Sequence, residues 1–588
     1  MAIEKPLQVT QRPPEAVFPN DKFFSNLLSC AERFPGNPIA VNDPANGVSA
    51  TYNQLIGDIV STRKAIYDSW SPELFDSHGI LKGSPWVGLL VPTSYEFVVG
   101  CLVILSIGGA IMPMRKSPYG DAKLLSNKSH GLAKAILPDE ADHFFEQCDS
   151  TLLVVGSKHQ EVALKVQAYR HVVSHRPILS IPVTLGDRSE NHVGVMYLDD
   201  NINLPSDRPG LVVFTSGTTG PPKGAVLPRC SLYPRQPCSP ENRLIKLCDR
   251  PAHWIGGYVG LFPLLLSGHG IEILPPGSPA VDYWELLRQQ RVTRVTWGPM
   301  MFSQLKQYYE DHLRLLPDAE LEPYLQGIRV IQGLRAGSAM PAPVLLEFWQ
   351  NMLGKPLQMG YSATEAGGLM SALLNVGSAK PSSIGKPIPG VEMKLSEGTT
   401  GEILVKSSRI MLRYLNNPEA TQAAFTEDGF YRTGDMAHMD GDEFIFDGRV
   451  SSDFVQVYAY RVPILEVENA VTALPYVVEA AVVAVPDPAC ANQIGAVIRL
   501  RQGMAQMPLD KLRTDLSPSL PAYTLPTKMR VLDDDEMLPR TVSYKIQRKQ
   551  TAHKFFGDSA EVDRVQVCLK LQAGKDRPVK AWDWAGLQ

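Results

Sequence analysis

Between residues 87 and 357, short apolar, β-branched runs alternate with longer amphipathic stretches. Examples are Pro85-Trp-Val-Gly-Leu-Leu-Val, Ala135-Ile-Leu, Leu152-Leu-Val-Val, Ile271-Glu-Ile-Leu and Thr293-Arg-Val-Thr-Trp. Runs that are apolar at nearly every position suit strands buried on both faces, and strands separated by helix-length segments pair in parallel. The expected fold class is therefore α/β, with a large amino-terminal domain of mainly parallel sheets and helices. At 588 residues the chain is several times a typical domain of roughly 100–150 residues, so it should divide. Over 385–447 the texture shifts to short strands separated by turns, which reads as a small β unit on the α/β body. Beyond Gly448, a helical stretch over 463–474 and strands over 479–485 and 495–500 suit a compact α+β domain. The expected units are 1–447, 448–555 and a carboxyl-terminal tail, 556–588.

Composition narrows the function. A net charge of −4 with 20% charged residues gives no support for nucleic-acid binding. The eight cysteines lack Cys-x-x-Cys spacing, which points to a reduced interior without a zinc site. The amino terminus lacks a basic start and apolar block, and the last residues are not a Ser-Lys-Leu signal, so a cytoplasmic location is expected. Residues 97–114 carry no charge and approach the ~20 residues that span a bilayer. Ser106, Gly108, Gly109 and Pro113 divide them into a helix over 95–105 and a strand over 110–112, so burial, with no integral membrane segment, is expected.

The segment Leu211-Val-Val-Phe-Thr-Ser-Gly-Thr-Thr-Gly-Pro-Pro-Lys-Gly224 reads as a strand feeding a polyphosphate-gripping loop. Gly217, Gly220 and Gly224 let backbone N–H groups approach an anion. Thr215, Ser216, Thr218 and Thr219 add hydroxyls, and Lys223 adds a mobile charge. A Walker loop needs Ser or Thr after its lysine, and Gly224 stands there, so that reading fails. A polar surface turn is the plainer alternative.

Three later segments extend the pattern. Gly360-Tyr-Ser-Ala-Thr-Glu365 offers an aromatic face (Tyr361), a hydroxyl (Thr364) and a carboxylate able to hold Mg²⁺ (Glu365), with a core tyrosine and a solvated helix glutamate as the plainer alternative. In Tyr431-Arg-Thr-Gly-Asp435 the carboxylate suits both hydroxyls of a ribose, and Arg449 could bind the same ribose or a phosphate. A structural ion pair between Asp435 and Arg449 is the alternative. Lys545 follows among Arg540, Arg548 and Lys549, which taken alone read as a solvated basic surface.

In this order, the motifs resemble those of the adenylate-forming superfamily of acyl-CoA synthetases, peptide-synthetase adenylation domains and luciferases, over roughly 24–548. Within it the chain looks most like a fungal-type acyl-CoA ligase of specialised metabolism. The resemblance implies a large amino-terminal domain, a small mobile carboxyl-terminal domain and an active site between them. It implies ATP, Mg²⁺ and CoA as cofactors, and a small or medium-chain carboxylic acid converted to an acyl-adenylate and then an acyl-CoA. Carried over residue by residue, the loop at Thr215, Ser216, Gly217, Thr218, Thr219, Gly220 and Lys223 holds the β and γ phosphates. Tyr361 stacks on adenine, Thr364 contacts the α-phosphate, Glu365 binds Mg²⁺, and Asp435 and Arg449 hold the ribose. Lys545 bridges the carboxylate and the α-phosphate, Ser451 is the hinge, and His253 and Gly337 line the acyl pocket. A packed core histidine is the alternative for His253.

Several positions depart from the family pattern. Gln456, Tyr458 and Ala459 replace the lysine, small residue and glycine of the pantetheine loop, Tyr544 replaces a glycine before Lys545, and Ser362 replaces the one after Tyr361. Pro228-Arg229 stands where Thr-His is usual, and Ser451 where Lys or Asp is common. These changes support the adenylation step better than the thioester step. A ligase delivering its acyl group to a carrier-protein thiol or an amine is therefore a second reading, and a non-catalytic nucleotide or acyl binder a third. The pocket segments 254–261, 297–302 and 333–338 are mostly apolar or small, which favours an uncharged acyl tail, except that Arg335 could pair with the second carboxylate of an acid such as malonate or be structural.

Overall fold

The computed structural model describes residues 12–568, apart from 35, 115–135, 187–194, 216–222, 235, 252, 339–340, 342, 374–381, 450–453, 458–459, 488–490, 502–503, 505–506, 542–544 and 558–561. The apolar runs become strands at the centres of two large sheets. The seven-stranded sheet runs, in spatial order, Arg413–Tyr414, Lys223–Pro228, Pro209–Thr215, Ala110–Pro113, Trp86–Leu90, Leu152–Val155 and Leu179–Pro182. Its last five strands pair in parallel and its first three are antiparallel. The helix Tyr95–Ser106 is capped by Ser94, whose hydroxyl accepts from the Phe97 N–H, and it is buried almost all round. Its uncharged sequence is thus explained by packing between layers, and no described helix is long and apolar enough to cross a membrane. Of the Ala135-Ile-Leu run read as a strand, Ala135 lies outside the described residues, and Ile136 and Leu137 are not in a strand. Ile136 and Leu137 lead into the helix Pro138–Gln147, which Pro138 starts at its first position, where proline loses no hydrogen bond.

The second sheet has thirteen strands. Its centre is parallel, with Gly270–Ile273, Ile245–Cys248, Arg294–Trp297, Gly333–Gly337 and Gln358–Ala363 side by side. The turn-rich region expected as a separate β unit continues this sheet through antiparallel strands Gly368–Leu373, Ser383–Pro387, Glu443–Arg449, Tyr431–Asp440, Thr400–Ser407 and Val391–Leu395. One ladder therefore joins the pocket strands to those carrying Asp435 and Arg449. One face of the parallel strands packs Leu247, Val295, Trp297, Leu334 and Ala336 into a core with Trp284 and Trp349.

The carboxyl-terminal unit has its own four-stranded sheet, Val477–Asp487, Ala491–Leu500, Lys528–Val531 and Val565–Val567, and its own core around Val482, Ile498 and Leu512. Its last strand lies inside the segment expected as a tail, so residues 565–567 belong to the sheet. The strand Glu443–Arg449 also passes the boundary expected at 447, keeping Arg449 on the amino-terminal ladder.

Candidate active site

Two antiparallel strands, Pro209–Thr215 and Lys223–Pro228, flank the segment read as a phosphate loop. Thr215 pairs with Lys223, and the Thr215 hydroxyl donates to the Lys223 carbonyl at 3.3 Å. Ser216, Gly217, Thr218, Thr219 and Gly220 lie outside the described residues. The ammonium of exposed Lys223 sits 5.1 Å from the Tyr414 ring centroid. Tyr414 reaches it on a two-residue strand paired to Ala225, and its hydroxyl donates to Glu365 Oε1 at 3.0 Å. Burial first, then the Glu365 carboxylate, push the Tyr414 hydroxyl up, so it remains a donor at neutral pH.

Glu365 is held by a tight turn. The Gly367 N–H donates to the Thr364 carbonyl at 3.0 Å and the Met411 N–H to the Glu365 carbonyl at 2.7 Å. Gly367 has φ of 69°, and a Cβ there would lie 2.3 Å from the Arg409 carbonyl. Only glycine satisfies both the left-handed backbone and the close approach. Lys223 and Glu365 are thus brought to one place by three segments, with Tyr414 between them. Among the described residues no group of three His, Cys, Asp or Glu side chains could hold a metal by itself.

A second cluster forms on the antiparallel part of the ladder. Asp435 and Arg449 are direct cross-strand partners. Arg449 Nε donates to Asp435 Oδ1 at 2.5 Å, and the Tyr361 hydroxyl donates to Oδ2 at 2.6 Å. The Asp435 side chain is 5% exposed and that of Arg449 36%. The ion pair considered as an alternative is therefore present, and each Asp435 oxygen has one protein donor. A carboxylate offers about four lone-pair sites, so each oxygen keeps capacity for another donor. Burial first and Asp435 second hold the Tyr361 hydroxyl well above its usual range, fixing it as a donor. The third cluster lies at the carboxyl ends of the parallel strands, where ligands bind open α/β sheets. Gly337 ends its strand opposite Gly360, and a Cβ on it would find only Thr296 Cγ2 at 3.6 Å and the Gly360 carbonyl at 3.8 Å. Half-buried His253 precedes the helix Ile255–Leu265, whose Val259 lies over Gly368.

Two cations here escaped the sequence reading. Lys246 is buried on the central Ile245–Cys248 strand, and its Nζ donates to the Thr296 hydroxyl at 2.9 Å. Arg250 donates to the Ser338 hydroxyl at 3.1 Å and to the Thr296 carbonyl at 3.4 Å. The signal was a lysine inside an otherwise apolar strand run. Arg335 donates to Gln358 at 3.4 Å, and its stem packs on Gly360. Cavities of about 200 and 400 Å³ lie elsewhere, one lined by Ile39, Arg243 and Arg291 and one by Tyr309, Phe348 and Met352. Neither is lined by residues of the three clusters.

The structure does not place every expected residue in these clusters. Lys545 is exposed on a loop of the carboxyl-terminal unit, and Ser451, Tyr458, Ala459 and Tyr544 lie outside the described residues. Gln456 is exposed on a short strand whose carbonyl accepts from Asn492.

The AMP-binding enzyme profile matches residues 71–415, and the AMP-binding enzyme C-terminal domain profile matches 466–545. The chain belongs to the AMP-binding enzyme family. Among its AMP-binding relatives, Acyl-CoA ligase oryP of Aspergillus oryzae (strain ATCC 42149 / RIB 40) is 32% identical, with 96% of this chain and 100% of that protein covered. Malonate--CoA ligase of Arabidopsis thaliana is 28% identical, covering 86% and 84%. The fold is similar to ATP-bound MatB from Rhodopseudomonas palustris, with a TM-score of 0.68 at 20% identity, covering 90% of this chain and 98% of that one. It is similar too to O-succinylbenzoate Coenzyme A Synthetase (MenE) from Bacillus Subtilis in complex with AMP, with a TM-score of 0.65 at 21% identity, covering 89% and 97%.

Proposed function

We propose that this AMP-binding enzyme is an acyl-CoA ligase that converts a small carboxylic acid and ATP to an acyl-adenylate and pyrophosphate, then transfers the acyl group to CoA. The observation that carries this reading is the convergence of Tyr361, Asp435 and Arg449 on one ladder with Lys223 and Glu365 beside the loop ends. Asp435 has lone pairs for the two hydroxyls of a ribose, held in place by its bonds to Tyr361 and Arg449. Lys223 supplies charge for the outgoing pyrophosphate, and Thr364 sits one residue before Glu365 to bind the α-phosphate. The donor set fits Mg²⁺: Glu365 offers one oxygen-rich group, and the ion takes its remaining ligands from phosphates and water. Bound there with ATP, Mg²⁺ would neutralise phosphate charge. The acid is already ionised at neutral pH, so alignment and charge neutralisation, not proton removal, are what the chain must supply.

In the same reading, residues 450–453 join the two units, Ser451 is the hinge, and Lys545 enters the site from the smaller unit. CoA is favoured as acceptor because relatives matched over most of their length bear CoA-ligase names.

Pyrophosphate exchange into ATP, measured over a panel of carboxylic acids, tests the first step. Exchange that depends on the acid is expected, followed by an acyl-CoA by mass spectrometry when CoA is added. No exchange with any acid would sink adenylation, and adenylate that accumulates despite CoA would point to a carrier thiol or an amine. In the same assay, Asp435→Ala is expected to raise KM for ATP roughly 10–100-fold, the loss of hydrogen bonds to a charged group. An unchanged KM would make the Asp435–Arg449 pair purely structural.

A further inference from the structure

Lys246 is the anomaly of the pocket face. It lies 5% exposed in the middle of a sheet, its ammonium has three donors, and Thr296 is its hydrogen-bond partner. Among the described residues it makes no ion pair. Asp249 is near enough to favour its charge, but Arg250 and Arg294 oppose it, and burial outweighs all of them, pushing the amine down to about 7. Asp249 is itself bonded by the Tyr283 hydroxyl at 3.2 Å. A buried ammonium with one neutral partner is costly, so such a lysine either gives up its proton or gains an anion to pair with.

Its position says what that anion is attached to. The strands bearing Gly360, Gly337, Thr296 and Lys246 are successive neighbours in the sheet. Gly360 directly precedes Tyr361 of the nucleotide cluster, and the Lys246 ammonium reaches back one strand to Thr296. Neighbouring strands lie about 4.8 Å apart, so the ammonium is roughly 10 Å from Gly360, across a floor from which Gly337 withholds a side chain and whose Gly360 end is covered by the Arg335 stem. Such a span fits an acid of a few carbons whose reacting carboxylate faces the nucleotide cluster. On the proposed acyl-CoA ligase reading, we infer that Lys246 is a specificity-determining residue that binds a second, anionic group on the tail of a short dicarboxylic acid, with Thr296 orienting it and Arg250 adding positive potential. The apolar pocket segments favoured an uncharged tail, with Arg335 left open as a partner for a second carboxylate; Lys246 adds a cation that reaches into their midst from outside those segments.

Exchange assays with succinate against butyrate, and glutarate against valerate, on wild type and Lys246→Met test this. The wild type should favour the diacids. Lys246→Met, close in volume and without the charge, should lower the diacid-to-monoacid ratio of kcat/KM by about 10²-fold, mostly through KM, as removal of one partner of a buried charge pair does. Succinate should raise the melting temperature of the wild type and not of the variant. Lys246→Gln repeats both measurements should the methionine variant fail to fold. A wild type that prefers monoacids, or a variant that loses both acid classes equally, overturns the role of Lys246 and leaves adenylation standing. Absence of exchange with every acid removes the ligase reading instead.

Discussion

Replacing Lys545 by alanine is expected to lower carboxylate-dependent pyrophosphate exchange by about 10²–10³-fold, the usual loss for a preorganised donor to developing charge. The substitution should leave the fold intact, because the loop is held by other groups. The Thr541 N–H donates to the Lys545 carbonyl at 2.8 Å, and the Lys545 N–H donates to the Thr541 hydroxyl at 3.1 Å. Arg540 anchors the loop through Glu479 at 2.7 Å, and Arg548 binds Glu468 and the Val482 carbonyl. The side chain of Lys545 itself is exposed. Thioester formation from supplied acyl-adenylate and CoA should persist in the variant, since the lysine is assigned only to the first step. Normal exchange in a folded Lys545→Ala protein would remove it from the mechanism, and equal loss of both half-reactions would point to a damaged carboxyl-terminal unit.

The neighbours of Lys545 show what a sequence does and does not reveal. Arg540 and Arg548 read as solvated basic residues, yet both are half-buried ion-pair partners of glutamates some 61 and 80 positions away. A pairing at that separation leaves no local trace. By contrast, the strand that runs into Thr215 was legible because its apolar residues are contiguous and stop at a run of hydroxyls and glycines. The parallel sheets were legible for the same reason, since a strand buried on both faces declares itself by lacking alternation. The Tyr361–Asp435–Arg449 cluster could be anticipated only through three motifs held in order, and its geometry depends on a ladder that spans 74 positions between Tyr361 and Asp435. Lys246 was missed because periodicity weighs the apolar residues around it and treats one lysine as noise. The β unit over 385–447 was identified as strands, but its fusion with the large sheet rests on the pairing of Ser371 with Pro387 and Ala372 with Lys386, which nothing in either segment announces.

Pro228-Arg229, where the family pattern has Thr-His, has a structural explanation that predicts a large loss of stability. Arg229 is fully buried just past the strand Lys223–Pro228. Its guanidinium pairs with Asp21, donates to the Leu105 carbonyl at 3.1 Å and lies 5.0 Å from the Phe23 ring centroid. Asp21 also caps the helix Lys22–Arg33, accepting from the Phe23 N–H at 2.9 Å. The backbone of Arg229 is equally confined, because a Cβ on Gly210 would come within 2.7 Å of its Cα. One side chain thus ties the end of the strand Lys223–Pro228 to the first helix and to the central helix Tyr95–Ser106. Arg229→Met should cost about 3–5 kcal/mol, because it strands a mostly buried carboxylate without its counter-ion. The loss should appear as a lower urea midpoint for the amino-terminal unit. Asp21→Asn in the same chain should restore part of it, since neutral asparagine still caps the helix without a charge to bury. Non-additivity between the two changes measures the pair. Should Arg229→Met cost less than about 1 kcal/mol, the pair would be no stronger than an exposed one, and the departure at this position would need a role in the reaction.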